Sequence, residues 1–255
     1  MRKHLITLLI IIFSSSLVAQ NDTLFSDSIH NHDNLKWYKS KYIKQSIVPI
    51  GLAASSLTIL AIPNLKVNLQ NKLNWNNQAN ANYIDLGDDY VRYAPAVAAY
   101  ILSDALSDYG FRSKHKFIDR SLILTAAYIA SDFVVYNTKN IVKETRPDGA
   151  EKTSMPSQHT AMAFVAATFL DHELGHISPW ISVGGYAAAS YVGYARIARN
   201  AHFTSDVLMG AAVGILMTNA TYWAYDGVMN LFPGKMTVSP IVDLQQKGVY
   251  VCYKF

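Results

Sequence analysis

The chain has 255 residues, 51% of them apolar and only 16% charged, with a formal net charge of +4. That is enough for one large core, but the charge falls short of the roughly 25% usual in soluble domains, so part of the surface is expected to meet something other than water. The basic residues are scattered rather than aligned on a helix or interleaved with aromatics, which argues against nucleic acid as a partner, and the single cysteine, Cys252, excludes an internal disulfide or a thiol-based zinc site.

Residues 1–19 have the parts of a signal peptide: Arg2, Lys3 and His4, an apolar run from Leu5 to Phe13, then Leu17-Val18-Ala19 with cleavage expected after Ala19. An uncleaved anchor is the alternative, and either form implies export. Residues 20–44 form a polar arm without periodicity. Residues 45–231 are expected to be a single helical domain, opening with the apolar run Ser46 to Ile62, which is close to the shortest length that crosses a bilayer.

Asn64 to Arg92 is polar and Asn-rich, suited to a membrane surface or to short helices. Five apolar segments follow: Ala94 to Leu106, Leu122 to Tyr136, Ala161 to Leu170, Pro179 to Tyr194 and Val207 to Ala220. Their Ala, Gly and Ser content allows close helix approach, in a membrane bundle or in a buried soluble one. Asp104 and Asp132 lie inside two of these segments and are expected to face the bundle interior, because a carboxylate in lipid is costly. If every apolar segment before Lys139 crossed, the loop after Lys139 would sit opposite to the exported side; Ala94 to Leu106, short and carrying Asp104, is the weakest span. Residues 232–255, rich in β-branched and aromatic residues, read as a β tail forming a short hairpin. The expected fold is therefore all-α: a membrane-associated bundle of about five or six apolar helices with a short C-terminal β-hairpin.

Three blocks between Lys139 and Asp206 carry the chemistry. Lys139 is followed after six residues by Arg146-Pro147; Pro156-Ser157-Gln158-His159 precedes a helical run; Arg196 is followed by His202 and Asp206. Ser157 suits a helix N-cap, where free backbone N–H groups and the helix dipole attract an anion. Lys139 and Arg146 can turn toward one point, arginine offering a planar fork that matches phosphate oxygens. His202 and Asp206, four apart, can meet at the start of a helix, so that the carboxylate fixes the imidazole tautomer and leaves the other nitrogen free to attack. Singly, each block has a plainer reading as a cap, a basic loop or a surface histidine; jointly, they point to phosphoryl chemistry.

These blocks resemble the signature of the type 2 phosphatidic acid phosphatases, which share a helical core with class A acid phosphatases and vanadium haloperoxidases. The resemblance covers about Leu122 to Gly214. It implies His202 as the nucleophile, Asp206 as its orienter and His159 as the acid for the leaving group, with Lys139, Arg146, Ser157, the Gln158 backbone and Arg196 holding the phosphoryl oxygens. Gln158 stands where the family usually has Gly, and Ala195 where it usually has Ser, which bears on substrate preference. Three cations and a helix N-terminus can neutralise a transferring phosphoryl group without a metal or other cofactor, and no carboxylate cluster with metal spacing is visible near the motif. The expected activity is hydrolysis of a phosphorylated lipid at a membrane, with the site on the periplasmic side. A soluble periplasmic acid phosphatase, a haloperoxidase and a non-catalytic membrane scaffold with an anion pocket are the alternatives. The sequence does not speak to oligomeric state.

Overall fold

The computed structural model describes residues 40–74 and 87–231, and the backbone of 235–242 and 247–254. The expected signal peptide and nearly all of the polar arm lie outside these residues. Eight helices are present among them: α1 (Lys41–Ala61), α2 (Pro63–Leu73), α3 (Asp88–Val91), α4 (Ala94–Ser107), α5 (Phe117–Val142), α6 (Gln158–Leu174), α7 (Pro179–Ala198) and α8 (Thr204–Leu231). Beyond them β1 (Lys235–Val242) pairs antiparallel with β2 (Lys247–Lys254), Lys235 lying opposite Lys254 and Val242 opposite Lys247.

Prolines mark several starts. Pro63 opens α2, Pro95 lies in the first turn of α4 and Pro179 opens α7, each where a missing N–H costs nothing. α5 ends at Lys143, which takes the left-handed conformation (φ 51°) that terminates a helix.

α6 is the centre of the bundle. Ala161, Ala163, Val165, Ala166, Ala167 and Phe169 are all buried, and because they face every direction around the helix, neighbours must cover it on all sides. α7, α8, α4 and α5 do so. The contact with α8 is set by two glycines one turn apart. A Cβ at Gly210 would lie 2.5 Å from the Ser157 carbonyl oxygen, and one at Gly214 would lie 2.4 Å from that of Ala161. Only a bare backbone admits this approach, and it brings the N-terminal ends of α6 and α8 together.

At the other end of α6, the buried Glu173 carboxylate accepts hydrogen bonds from His115 Nδ1 (2.7 Å), the His115 backbone N–H (3.1 Å), Tyr222 Oη (2.7 Å) and Ser113 Oγ. This satisfied network ties the loop between α4 and α5 to α6 and α8.

α1 and α8 are long and apolar enough to cross a membrane by length and composition. α1 buries only Pro49 and Ser56 of its 21 residues, leaving Ile47 and Ile50 each 61% exposed. On α5, Leu122, Ile129, Phe133 and Tyr136 also face outward. Apolar belts of this extent fit lipid rather than water, and the protein is membrane-associated. α4, at 14 residues, rises about 21 Å against a hydrocarbon core of about 30 Å.

One expectation about these helices is corrected. Asp104 does not face the interior: its side chain is 82% exposed, 3.5 Å from the Arg120 guanidinium. Arg120 is buried instead, stacked over Tyr100 at 4.6 Å, so the carboxylate stays in a polar setting at the rim while its cation partner lies within. Asp132 is partly buried and accepts a hydrogen bond from Gln158 Nε2.

Candidate active site

The candidate residues gather where α5 ends and α6 and α8 begin. The backbone N–H of Ser157 donates to the Asp206 carbonyl at 3.0 Å, the direct link between second and third blocks. Ser157 takes the N-cap position of α6, but its hydroxyl caps no backbone N–H; it accepts from Thr160 Oγ1 at 3.0 Å. The first-turn N–H groups of Gln158 and His159 belong to the set that no helix can satisfy internally. Gln158 turns its side chain to Asp132, away from that turn.

Lys139 and Arg146 both turn toward Thr153. Lys139 sits inside α5, in its last turn, and donates to the Thr153 carbonyl. Arg146 reaches the same residue, 3.4 Å from Thr153 Oγ1, and lies 3.2 Å from Glu151. Burial, reinforced by Arg146, pushes the Lys139 ammonium down to about 8.

His202 and Asp206 are both buried, with Nδ1 3.8 Å from Oδ2. That is within ion-pair range but too long for a hydrogen bond. The Asp206 carboxylate is held elsewhere, by the Phe203 backbone N–H at 2.9 Å and by Ser154 Oγ at 2.5 Å. Burial holds the His202 imidazole below the usual histidine range, against the upward pull of Asp206, while Arg196 and Lys139 push the same way as burial. Those two cations are thus within electrostatic reach of the imidazole.

α3 contributes what the sequence did not reveal. The fully buried Asp88 carboxylate binds Arg196 (3.2 Å) through one oxygen and Arg199 through the other. Its neighbour Asp89 lies 2.7 Å from His159 Nε2. Burial and the Arg196 charge bring His159 down to about 4 despite that contact, and the same contact lowers Asp89. Asp88, Asp89 and His159 have donor atoms within 4.8 Å of one another, so a cluster of the kind judged absent from the sequence does stand beside the motif. Both Asp88 oxygens face arginines, however, which is a poor donor set for a cation. Neither aspartate carries a sequence signal, since both sit in the Asn-rich stretch.

α2 also reaches the site. Lys66 pairs with Glu144 and stands 4.1 Å over the Phe203 ring, next to His202, while Gln70 Nε2 donates to Asn200 Oδ1 at 2.9 Å. From α1, Ser56 Oγ donates to the Ser205 carbonyl at 2.7 Å. The loop bearing His202 is therefore fixed by residues about 130 to 150 positions earlier.

A helical bundle whose central helix starts at Ser157-Gln158-His159 and meets His202 and Asp206 through a glycine contact defines a class, and residues 120–229 match the PAP2 superfamily. Through this segment, which is less than half of the chain, the protein resembles that superfamily, the type 2 phosphatidic acid phosphatases. The lipid A 1-phosphatase of Porphyromonas gingivalis is 42% identical over 123 residues, a stretch covering 48% of this chain and 28% of that relative's length. Among solved structures, a transmembrane PAP2-type phosphatidylglycerolphosphate phosphatase from Bacillus subtilis superposes with a TM-score of 0.52 at 18% identity, covering 74% of this chain and 97% of that one. Aquifex aeolicus LpxE gives 0.46 at 24% identity, covering 62% and 95%. The Bacillus likeness supports the bundle fold.

Proposed function

We propose that the protein is a phosphatase acting on a phosphorylated lipid, through a covalent intermediate on His202. The observation that carries this reading is the convergence of His202, Asp206, Lys139 and Arg196 at the start of α8, joined to the N-terminus of α6 by the Ser157–Asp206 hydrogen bond.

In this reading the phosphoryl group lies at the N-terminus of α6, its oxygens held by the backbone N–H groups of the first turn, by Lys139 and Arg146, and by Arg196. Nδ1 of His202 is on the Asp206 side, so Nε2 faces the phosphorus and attacks it as the ester P–O bond breaks. A hydrogen bond to Asp206 requires the pair to close by about 1 Å from its 3.8 Å separation, a tightening expected when substrate binds. The leaving oxygen takes its proton from His159. The negative phosphoryl group offsets the Arg196 charge that depresses this histidine, raising its proton affinity when an acid is needed. Water then attacks the phospho-histidine, with His159 as base, and releases phosphate. Charge neutralisation by fixed cations and helix-end dipoles supplies most of the transition-state stabilisation. The residues need no resident metal or cofactor.

A lipid substrate is supported by the apolar outer belts and by the lipid A 1-phosphatase relative. Residues 45–231 would constitute the catalytic domain, and an exported chain would place its site on the periplasmic side. The test is a panel of phosphorylated lipids and short soluble phosphate esters given to protein purified in detergent. The reading expects higher kcat/KM for the lipids; equal or better turnover of the short esters would favour a soluble-type acid phosphatase, and no turnover of any ester a non-catalytic scaffold.

A further inference from the structure

α3 is only four residues long, yet it presents carboxylates to two different helices. Side chains one position apart on a helix point about 100° apart. The buried Asp88 is accordingly directed at α7, between Arg196 and Arg199, while Asp89 is directed at α6 and lies 2.7 Å from His159 Nε2. The Asp88 ion pairs anchor the short helix, and that anchorage holds Asp89, itself half exposed, against the imidazole.

The contact has a chemical direction. An ionised carboxylate can only accept, so Nε2 carries the proton in the hydrogen bond from His159 to Asp89. That fixes the tautomer of the neutral ring and makes Nδ1 the nitrogen that can give or take a proton. Asp206 stands on the Nδ1 side of His202, so the two histidines meet their carboxylates through opposite nitrogens. Burial, Arg196 of α7 and Arg92 at the end of α3 all lower the proton affinity of His159, and Asp89 opposes them.

We propose that Asp89 is the positioning residue of the leaving-group acid, holding His159 with Nδ1 toward the departing oxygen, so that the site uses one carboxylate–imidazole pair for the nucleophile and a second for the acid. The proposal rests on the phosphatase reading and adds to it the atom and the partner through which His159 acts. As the bond from His202 Nε2 to phosphorus forms and the ester P–O bond breaks, the electron pair stays on the leaving oxygen, which takes the proton from His159 Nδ1. When water attacks, its oxygen bonds to phosphorus, the N–P electron pair returns to His202, and the water proton goes to His159 Nδ1. The Nε2 proton stays on the Asp89 side throughout, where the carboxylate charge favours the imidazolium.

The experiment uses the full chain in detergent and two phosphate monoesters, an alkyl ester whose alkoxide needs a proton to leave and a nitrophenyl ester whose phenolate does not. They are compared by kcat/KM, which reports the step that breaks the ester bond. Asp89 is half exposed, so Asp89→Ala is expected to fold. It should lower kcat/KM for the alkyl ester about 10²-fold, and at least about tenfold more than for the nitrophenyl ester. In a His159→Ala background the same substitution should lower the rate no further, because groups that act as a unit are not additive. The ¹⁵N spectrum of His159, assigned by its loss in His159→Gln, should show a protonated Nε2 in the wild type and a mixture of tautomers in Asp89→Ala.

Equal losses on both esters, additive losses in the double variant, or faster turnover of the alkyl ester by Asp89→Ala would each overturn the proposal. Wild-type protein that turns over neither ester would instead sink the phosphatase reading, and the spectrum would still decide whether Asp89 holds the ring: a protonated Nε2 lost in Asp89→Ala upholds it, and a wild-type ring protonated at Nδ1 alone overturns it.

Discussion

Gly210 of α8 faces the carbonyl of Ser157 so closely that a methyl group there would sit 2.5 Å from the oxygen. This one contact sets the distance between the N-terminal end of α6, where the phosphoryl group is proposed to bind, and the turn that carries His202 and Asp206. Gly210→Val is expected to destabilise the fold by about 1–3 kcal/mol, as overpacking does. It should lower kcat at least tenfold even where the protein remains folded, because Ser157 moves away from His202. Circular dichroism and phosphate release on the same preparation separate the two effects.

In the proposed mechanism Asp206 does two jobs, and its substitution should show both. Asp206→Asn keeps the shape but removes the charge that orients His202 and receives Ser154 and the Phe203 N–H. The expectation is a fall in kcat of about 10²–10⁴ with KM little changed, as for other orienting carboxylates. A fall confined to KM would place Asp206 in substrate binding instead.

The pH dependence of stability has a definite sign. His159 is held down to about 4 in the folded protein, against an ordinary value of 6.5. Between those values the unfolded chain binds a proton that the folded one refuses, so stability rises with pH and is lost as pH falls below about 6.5. The direction for His202 is the same. Lowering pH from 7 to 5 should cost on the order of 1–2 kcal/mol for His159, and His159→Gln should remove that part of the slope. Thermal melts of both proteins across this range measure it.

The Asp88, Asp89 and His159 cluster makes metal dependence a fair question. Asp88 engages Arg196 and Arg199, so chelator treatment is expected to leave activity intact, whereas vanadate, a phosphate mimic, should abolish it. Activity lost in chelator and restored by one divalent cation would assign the cluster to a metal.

How far the sequence reveals this arrangement depends on the kind of signal. The apolar segments from Ala94 onward are legible because continuous apolar runs register in composition, and α4 and α7 start at Ala94 and Pro179 as read. Helix ends are less legible: the apolar run stops at Tyr136, yet backbone hydrogen bonding carries α5 on to Val142, with Lys143 as its cap. The three motif blocks are legible through spacing alone. Asp88, Asp89 and Lys66 are not, because their partners lie 70 to 137 positions away and no local pattern marks them. Asp104 is misread because burial of its partner Arg120, stacked on Tyr100, leaves the carboxylate free to face outward.

The most direct test of the account is to mix the protein with a phosphorylated lipid carrying ³²P, quench in alkali, and look for label retained on the chain. Wild-type protein should hold an alkali-stable, acid-labile phosphoryl group that maps to the peptide containing His202 and decays as free phosphate appears. His202→Ala should carry no label and release no phosphate. Phosphate released by His202→Ala at near wild-type rate would contradict the central claim.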